Sequence, residues 1–197
     1  MAKLILASQS PRRQELLRRI GVSDFTVLVP HADESYDPSL SPEEIVSHIS
    51  RAKAAAAAAL AGPADLVIAA DTMVFLGDRR LGKPHSEEEA FDMLSALSGR
   101  VHTVCTGVTV RRGDVECCEA ERTAVRFRPL TAAEIHSYIR TGECMDKAGA
   151  YGIQDRGALL VEGIEGDFFN VMGLPVLRLA RMLERFGLDL LGKESVP

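Results

Sequence analysis

The chain has 197 residues, which suits one domain, or one domain with two lobes. Apolar residues make up 46% of it and charged residues 26%, a balance that supports a packed core and excludes extended disorder. The net charge of −5 and the aromatic content of 5% argue against a general nucleic-acid binder, which needs positive charge and stacking side chains. Any anion must therefore be held by a local basic cluster.

The apolar segments favour a cytoplasmic protein. None is long enough to span a bilayer, and residues 1–10 predict a core strand that leads into a helix, not a signal peptide. The four cysteines, of which Cys117 and Cys118 are adjacent, lack zinc-type spacing and are expected to be reduced thiols.

Strands and helices alternate along the chain. Strands are predicted over residues 4–7, 25–29, 66–70, 101–111 and 115–127, within 158–164, and as a hairpin over 73–82. Helices are predicted from residue 11 to 20, from three capping boxes that begin at Ser41, Ser86 and Thr131, and from residue 175 to 186. Because hairpins interrupt the alternation, the sequence predicts an α/β fold with a mixed sheet.

The segment SQSPRR, residues 8–13, joins a predicted strand directly to the start of a helix. A helix N-terminus carries unpaired N–H groups and partial positive charge, so it binds anions readily. Arg12 and Arg13 oppose that dipole in the first turn, at a cost of about 0.3–1 kcal/mol each. Either they are ordinary surface arginines, or an anionic ligand such as a triphosphate offsets the repulsion.

Asp71 and Thr72 directly follow the apolar run of residues 66–70. Ligands of open α/β sheets gather at the carboxyl ends of strands, where a carboxylate can bind a metal ion or act as a general base. An aspartate that simply ends a strand is favoured slightly when this feature is taken alone.

Three further charged side chains are dispersed along the chain. Glu34 lies in a polar loop, Lys53 precedes six alanines in a predicted helix, and Lys83 follows a glycine. Solvated lysines are the ordinary interpretation, but a lysine on an alanine-lined wall or in a constrained turn can reach a phosphate. The five histidines lack ligand spacing, so a metal here would be held by oxygens, which favours Mg²⁺ or Mn²⁺.

The last candidates lie in two segments that contain glycine. In DKAGAYGIQ, residues 146–154, the glycines indicate a flexible or closely packed backbone, and Gln154 could pair with a base edge as donor and acceptor. An ordinary connector is the alternative. In the segment 166–175, three apolar residues are expected to pack in the core: Phe168, Phe169 and Val171.

Together these segments resemble the Maf-like family of nucleoside triphosphate pyrophosphatases. The resemblance runs in one order along nearly the whole chain, through LILASQSPRR, AADT, LGKP, LSGRVHTVCTG, DKAGAYGIQ and NVMGLP. SPRR and IQ resemble the members that hydrolyse dTTP and UTP. The resemblance implies an elongated mixed sheet flanked by helices, with two lobes around a central cleft. We expect a single domain over residues 1–191 and a flexible tail over 192–197.

The resemblance also implies the roles of individual residues. Asp71 is similar to the family's proton acceptor, and Asp71 with Glu34 would hold a divalent cation, Mg²⁺ or Mn²⁺. The substrate-binding positions match Arg13, Glu34, Lys53 and Lys83. The specificity positions match Arg12, Thr72 and Gln154. The expected function is house-cleaning hydrolysis of dTTP and UTP, or of modified pyrimidine nucleotides, to the monophosphate and pyrophosphate. A cytoplasmic homodimer without stable nucleic-acid binding is expected.

Three residues depart from the family's usual pattern. Gln9 replaces a Gly, Met73 replaces a Val, and Asp155 replaces the Gly that usually follows Gln154. Asp155 adds an acid beside the expected base pocket, and it therefore bears on the base preference more than on the class of reaction.

Three other functions stay open on the sequence. A regulator of septum formation or cell division would use the basic cluster to bind a partner or nucleic acid. A nucleic-acid binder would place the same cations on backbone phosphates. A different phosphohydrolase would release orthophosphate from the γ position, and only product analysis separates it from a pyrophosphatase.

Overall fold

The structure, a computed structural model, describes residues 2–192 and confirms an α/β fold. The strands are β1 Leu4–Leu6, β2 Thr26–Val27, β3 Leu66–Leu76, β4 Arg79–Leu81, β5 Val101–Arg112, β6 Val115–Phe127 and β7 Val161–Glu165. The helices are α1 Pro11–Arg19, α2 Pro42–Ala58, α3 Glu87–Leu97, α4 Ala132–Ile139, α5 Phe168–Met172 and α6 Val176–Glu184. Two 3₁₀ turns cover Ala148–Ala150 and Asp155–Leu160. Most of the predicted tail, residues 193–197, lies outside the described residues.

The seven strands form one sheet in the order β2-β1-β3-β5-β6-β7, with β4 paired to β3. Strand β1 runs parallel to both β2 and β3, with Leu6 opposite Val27 on one side and Ile68 on the other. The pairs β3–β4 and β6–β7 are antiparallel. The prediction of a mixed sheet is therefore confirmed.

Strand β3 is longer than predicted, which corrects the expected position of Asp71. The sequence suggested that the strand ends at Ala70, whereas β3 continues without a break to Leu76, with Asp71 in its interior. The extension forms because residues 74–76 pair with β4 across the turn at Gly77. Parallel pairing with β1 ends at Ile68, however, so Asp71 does lie beyond the carboxyl end of the neighbouring parallel strand.

The predicted capping boxes are complete at two of three helices. Ser41 and Thr131 each exchange hydrogen bonds with the glutamate three residues later. At α3, Ser86 Oγ accepts from the Glu89 N–H, but the Glu89 carboxylate accepts from the backbone N–H of His85 instead of Ser86. The predicted box at Ser86 is thus only half formed. Similarly, Ser10 precedes α1 without a side-chain capping bond.

The chain divides into two compact units. The first unit comprises the chain up to Asp71, Gly107–Ala120 and the chain from Gly173 onward; the second comprises Thr72–Thr106 and Glu121–Met172. In the first unit, helix α2 packs against strand β5, where Ser50 Oγ and Thr109 Oγ1 are 2.8 Å apart in the core. Small apolar side chains of α2, among them Ala54 and Ala57, pack with those of β1 and β3.

In the second unit, a cluster of rings lies in the core. His102 and Tyr151 each meet Phe127 edge to face, with ring centroids 5.0 Å and 4.7 Å apart. The segment 166–175 differs from its prediction, because it contains the short helix α5. Within α5, Phe168 and Phe169 are exposed, Val171 is half-buried, and Asn170 and Met172 are buried. The helical turn directs side chains that were expected in the core towards solvent.

Candidate functional site

Arg13 lies in the first turn of α1, which follows β1 after a short connection. Its guanidinium donates from Nε to the Gly173 carbonyl at 2.8 Å and from Nη1 to Ser8 Oγ at 3.0 Å. These two bonds fix the planar group in one orientation. Loss of water around the group lowers the pKa of Arg13, and the nearby Asp71 carboxylate opposes that effect. The side chain is therefore a cation held in a partly dry environment.

Lys53, on α2, joins two of the predicted acidic residues. Its Nζ lies 2.7 Å from Asp71 Oδ1 and 3.2 Å from Glu34 Oε1. The side chain of Lys53 is 21% exposed, that of Asp71 12%, and that of Glu34 56%. The ordinary interpretation of Lys53 as a solvated lysine is therefore wrong: its ammonium sits between two carboxylates at the edge of the protein interior.

Asp71 has one oxygen in use and one without a partner. Lys53 donates to Oδ1, whereas Oδ2 is buried and has no hydrogen-bond partner in the described part of the chain. Buried carboxylate oxygens without partners are uncommon, because desolvation without a compensating bond is costly. Oδ2 is thus an acceptor that can bind a proton donor or a cation.

Electrostatic interactions connect all five predicted site residues of the first unit. Asp71 and Glu34 raise the pKa of Arg13, although less than desolvation lowers it, and Arg12 adds to the lowering. The structure therefore brings together cations from α1 and α2 with a carboxylate from β3 and one from the polar loop: Arg12, Arg13, Lys53, Asp71 and Glu34.

The other three predicted residues belong to the second unit. Lys83 is exposed on the connection between β4 and α3, next to Gly82, whose carbonyl accepts a bond of 3.0 Å from the Gly149 N–H. The LGKP turn and the glycine-containing segment 146–154 are thus in contact. Gln154 is half-buried, and its Oε1 is another buried acceptor without a partner within residues 2–192. Thr72 Oγ1 lies 2.9 Å from Thr106 Oγ1.

The backbone around Gln154 is strained at two residues that are not glycine. Ala150 has φ +58° and Asp155 has φ +57°. This left-handed conformation disfavours side chains with a Cβ, and Asp tolerates it better than most. Glycine would adopt the conformation of residue 155 without this penalty, and Asp155 is one of the side chains that tolerate it.

A divalent cation of the Mg²⁺ type needs oxygen ligands, and the site offers two carboxylates. Between residues 2 and 192 no three or more His, Cys, Asp or Glu side chains cluster as metal ligands. Asp71 Oδ2 and the Glu34 carboxylate are two oxygen donors beside the same ammonium. Mg²⁺ is commonly bound by one or two carboxylates together with substrate phosphates and water. The residues therefore fit a cation that is shared with a phosphate ligand.

Four residues with polar groups near these side chains, one of them a glycine that contributes its carbonyl, were not predicted from the sequence. Ser8 and the Gly173 carbonyl orient Arg13, and Thr106 and Asn170 form hydrogen bonds beside Thr72. Each lies in a segment already quoted for the family resemblance, but their partners are distant in the chain, so no local pattern revealed the contacts.

These contacts define an α/β protein with a cluster of cations around the buried carboxylate of Asp71. The chain belongs to the Maf-like protein family, whose pattern matches residues 3–186. It is 53% identical to a dTTP/UTP pyrophosphatase of Moorella thermoacetica, over 98% of this chain and 100% of that protein. A dTTP/UTP pyrophosphatase of Symbiobacterium thermophilum is 50% identical over 95% of each chain. One from Bacillus velezensis is 47% identical over 94% of this chain and 97% of its own.

Two solved structures are weakly similar. The Ham1 protein of Staphylococcus aureus has a TM-score of 0.44 and 18% identity, over 64% of this chain and 71% of its own. A nucleoside-triphosphatase, dITP/XTP pyrophosphatase, of Mycobacterium abscessus has a TM-score of 0.43 and 13% identity, over 97% and 100%. At these TM-scores the similarities say nothing about activity. Within residues 2–192, no helix is both long and apolar enough to cross a membrane.

Proposed function

We propose that this protein hydrolyses nucleoside triphosphates, with dTTP and UTP preferred, to the monophosphate and pyrophosphate. The observation that carries the proposal is the buried Asp71, which is held at Oδ1 by Lys53, has an unpartnered Oδ2, and interacts electrostatically with the desolvated guanidinium of Arg13. The names of the similar proteins support the same reaction and favour it over a regulator of cell division.

Water attacks the α phosphorus, and Asp71 Oδ2 accepts its proton. The bond from the α phosphorus to the bridging oxygen breaks, and pyrophosphate leaves with the electron pair. Arg13 and Lys53 offset the negative charge of the phosphates and of the leaving group, where fixed charges in a dry site act most strongly. Lys53 also orients the carboxylate, because its bond to Oδ1 leaves Oδ2 as the basic atom.

A divalent cation, Mg²⁺ or Mn²⁺, belongs to the proposal. Glu34 and Asp71 would hold it together with the substrate phosphates, and when bound it would supply positive charge against the phosphate oxygens. Glu34 takes no part in the proton transfer and is the more exposed of the two, so it would remain the oxygen ligand of the cation once Asp71 Oδ2 has received the proton. Chelation should abolish turnover, and addition of Mg²⁺ or Mn²⁺ should restore it.

Roles for the remaining residues rest on the family resemblance. Gln154 and Thr72 read the base, Arg12 contributes to specificity, and Lys83 binds phosphate. The unpartnered Gln154 Oε1 supports its role, because it can accept a bond from the imide N–H of uracil or thymine. Gln154→Ala should flatten the preference for UTP and dTTP over purine nucleotides, and an unchanged profile would remove Gln154 from base reading.

The products and the site of attack are tested with UTP in H₂¹⁸O. Attack on the α phosphorus places the label in the monophosphate, whereas attack on the β phosphorus places it in pyrophosphate. Release of orthophosphate would show cleavage at the γ position instead and would overturn the proposal. A panel of modified pyrimidine triphosphates in the same assay defines the preferred substrate.

The assignment of Asp71 is tested by Asp71→Asn, which should lower kcat about 10²–10⁴-fold, the usual contribution of a general base. Asp78→Asn is the matched control, because Asp78 is exposed on the turn that ends β3. Its kcat should stay at the wild-type value. Urea unfolding of both variants separates a loss of catalysis from a loss of folding, and near wild-type turnover in Asp71→Asn would remove the central assignment.

A homodimer, a cytoplasmic location and a single domain over residues 1–191 complete the proposal. The family resemblance supports the dimer, and the four cysteines, which are all free thiols, fit a reducing compartment. Light scattering of the purified protein tests the dimer, which an elution at the mass of one chain, 21.3 kDa, would exclude.

A further inference from the structure

A buried chain of hydrogen bonds connects Thr72 to helix α5. Thr72 Oγ1 lies 2.9 Å from Thr106 Oγ1, and Thr106 Oγ1 donates to the Asn170 carbonyl at 3.2 Å. Thr106 and Asn170 are fully buried, whereas Thr72 is half-buried. The connection therefore runs from the protein interior to a side chain that solvent can reach.

The hydrogen bond from Thr106 to the Asn170 carbonyl determines which of the two threonine hydroxyls donates to the other. Thr106 has one hydroxyl proton, and while it donates that proton to the Asn170 carbonyl it can only accept from Thr72. Thr72 is then the donor to Thr106. Thr106 thus selects the rotamer in which the Thr72 hydroxyl points at Oγ1 of Thr106, and the oxygen lone pairs of Thr72 are fixed with it.

Asn170 is itself held in place at the other end of this chain. Its Nδ2 donates to the Val104 carbonyl at 3.1 Å and to Thr123 Oγ1 at 2.9 Å. Thr123 Oγ1 also bonds to the backbone of Asp167, at 3.0 Å and 3.1 Å. The carbonyl that receives the Thr106 proton is therefore anchored to strands β5 and β6.

These buried polar groups are unnecessary for packing alone. A valine at position 106 would have the shape of threonine and no hydroxyl, and burial of a hydroxyl is costly unless it is bonded. The partners that compensate Thr106 are the Asn170 carbonyl and Thr72. A role at Thr72 explains why a hydroxyl is present here.

We propose that Thr106 and Asn170 are positioning residues that fix the Thr72 hydroxyl and thereby set the discrimination between nucleotide bases. This inference rests on the proposed function, in which Thr72 contributes to base recognition. Neither residue contacts the substrate; both act through Thr72. They extend the determinants of specificity from Thr72 to the NVMGLP segment.

The experiment compares kcat/KM for UTP and CTP in a double-mutant cycle. Thr106→Val should lower the UTP-to-CTP ratio about three- to tenfold, the scale of one lost hydrogen bond. Thr72→Val should lower it by a similar factor, and the double variant should show no further loss, because Thr106 acts through Thr72. Thr106→Ser retains the hydroxyl and should restore most of the ratio.

The matched control is Thr109→Val, which removes another buried hydroxyl from the same strand. Thr109 bonds to Ser50 in the first unit, so its loss should reduce stability and leave the UTP-to-CTP ratio unchanged. Thr106→Ala is the second variant should Thr106→Val fail to fold, and the same fall in the ratio is expected from it.

The outcomes separate this inference from the proposed function. A wild-type protein that favours UTP, with an unchanged ratio in Thr106→Val or Thr106→Ala, overturns the positioning role alone. An equal further loss in the Thr72→Val background also overturns it, since Thr106 would then act independently of Thr72. A wild-type protein without preference for UTP overturns both the base preference and this inference.

Discussion

Gly107 on strand β5 lies so close to Val46 on helix α2 that a Cβ at position 107 would collide with the Val46 carbonyl oxygen. Real Cβ atoms do not approach backbone this closely, so the helix must move if any side chain is added. Helix α2 also carries Lys53, whose ammonium contacts Asp71. The close approach of Gly107 and Val46 therefore constrains the position of the helix that carries Lys53.

Gly107→Ala should lower the free energy of unfolding by about 1–3 kcal/mol, the usual cost of overpacking a core. Gly82→Ala is the control, because a Cβ at Gly82 meets no heavy atom within 4 Å. Urea unfolding measures both. Equal stabilities for the two variants would show that α2 can shift without cost.

Asp155 makes a second prediction about the backbone, because it holds φ +57°. Asp155→Gly should raise the free energy of unfolding by up to about 1 kcal/mol, since glycine has no penalty in this conformation. Asp155→Ala retains the penalty and loses the polar side chain, so it should be no more stable than the wild type. Thermal unfolding of the three proteins tests the order, and a less stable glycine variant contradicts it.

The elements that the sequence predicted well are those with local causes. The boxes at Ser41 and Thr131 form between residues three positions apart, and the strands around Gly113 follow from apolar runs that flank a turn. Asp71 illustrates the limit. Its strand continues through a polar residue because β4 pairs with residues further along β3, and nothing local to Asp71 reveals that pairing.

The residues of the candidate site could be predicted from the sequence, but the contacts between them could not. Lys53 and Asp71 are 18 positions apart, and only the packing of α2 on the sheet brings them to 2.7 Å. The partners of Arg13 show the same limit more strongly, since Gly173 follows it by 160 positions. The residue types in the sequence indicate which chemical groups are available. Only the tertiary contacts show which of these groups lie in the same site.

Arg13→Lys should reduce kcat/KM substantially although the charge is conserved. The guanidinium reaches the Gly173 carbonyl and Ser8 Oγ with two different nitrogens, and an ammonium on a flexible stem cannot hold the same orientation. A loss of about 10- to 100-fold is expected, the scale of charge-assisted bonds that are misplaced. Arg19→Lys, an exposed change on the same helix, is the control. Wild-type kinetics in Arg13→Lys would show that charge alone suffices at this position.

His102 predicts how stability depends on pH. Burial lowers the pKa of His102 from 6.5 to about 4, and its Nε2 lies 2.7 Å from the Tyr151 hydroxyl. The folded protein therefore keeps the imidazole neutral at a pH where the unfolded chain binds a proton. The contribution of neutral His102 to the free energy of unfolding is complete above pH 6.5. It is lost as the pH falls towards 4, because the unfolded state binds a proton that the folded state does not.

Between pH 7.5 and pH 5 this linkage should cost about 2 kcal/mol of the free energy of unfolding. His102→Gln removes the titrating group and retains an amide that can bond to Tyr151, so its stability should depend less on pH over the same interval. Urea unfolding at the two pH values, with wild type and variant side by side, cancels the contribution of the other histidines. Parallel pH profiles would mean that His102 is protonated in the folded protein as readily as in the unfolded chain.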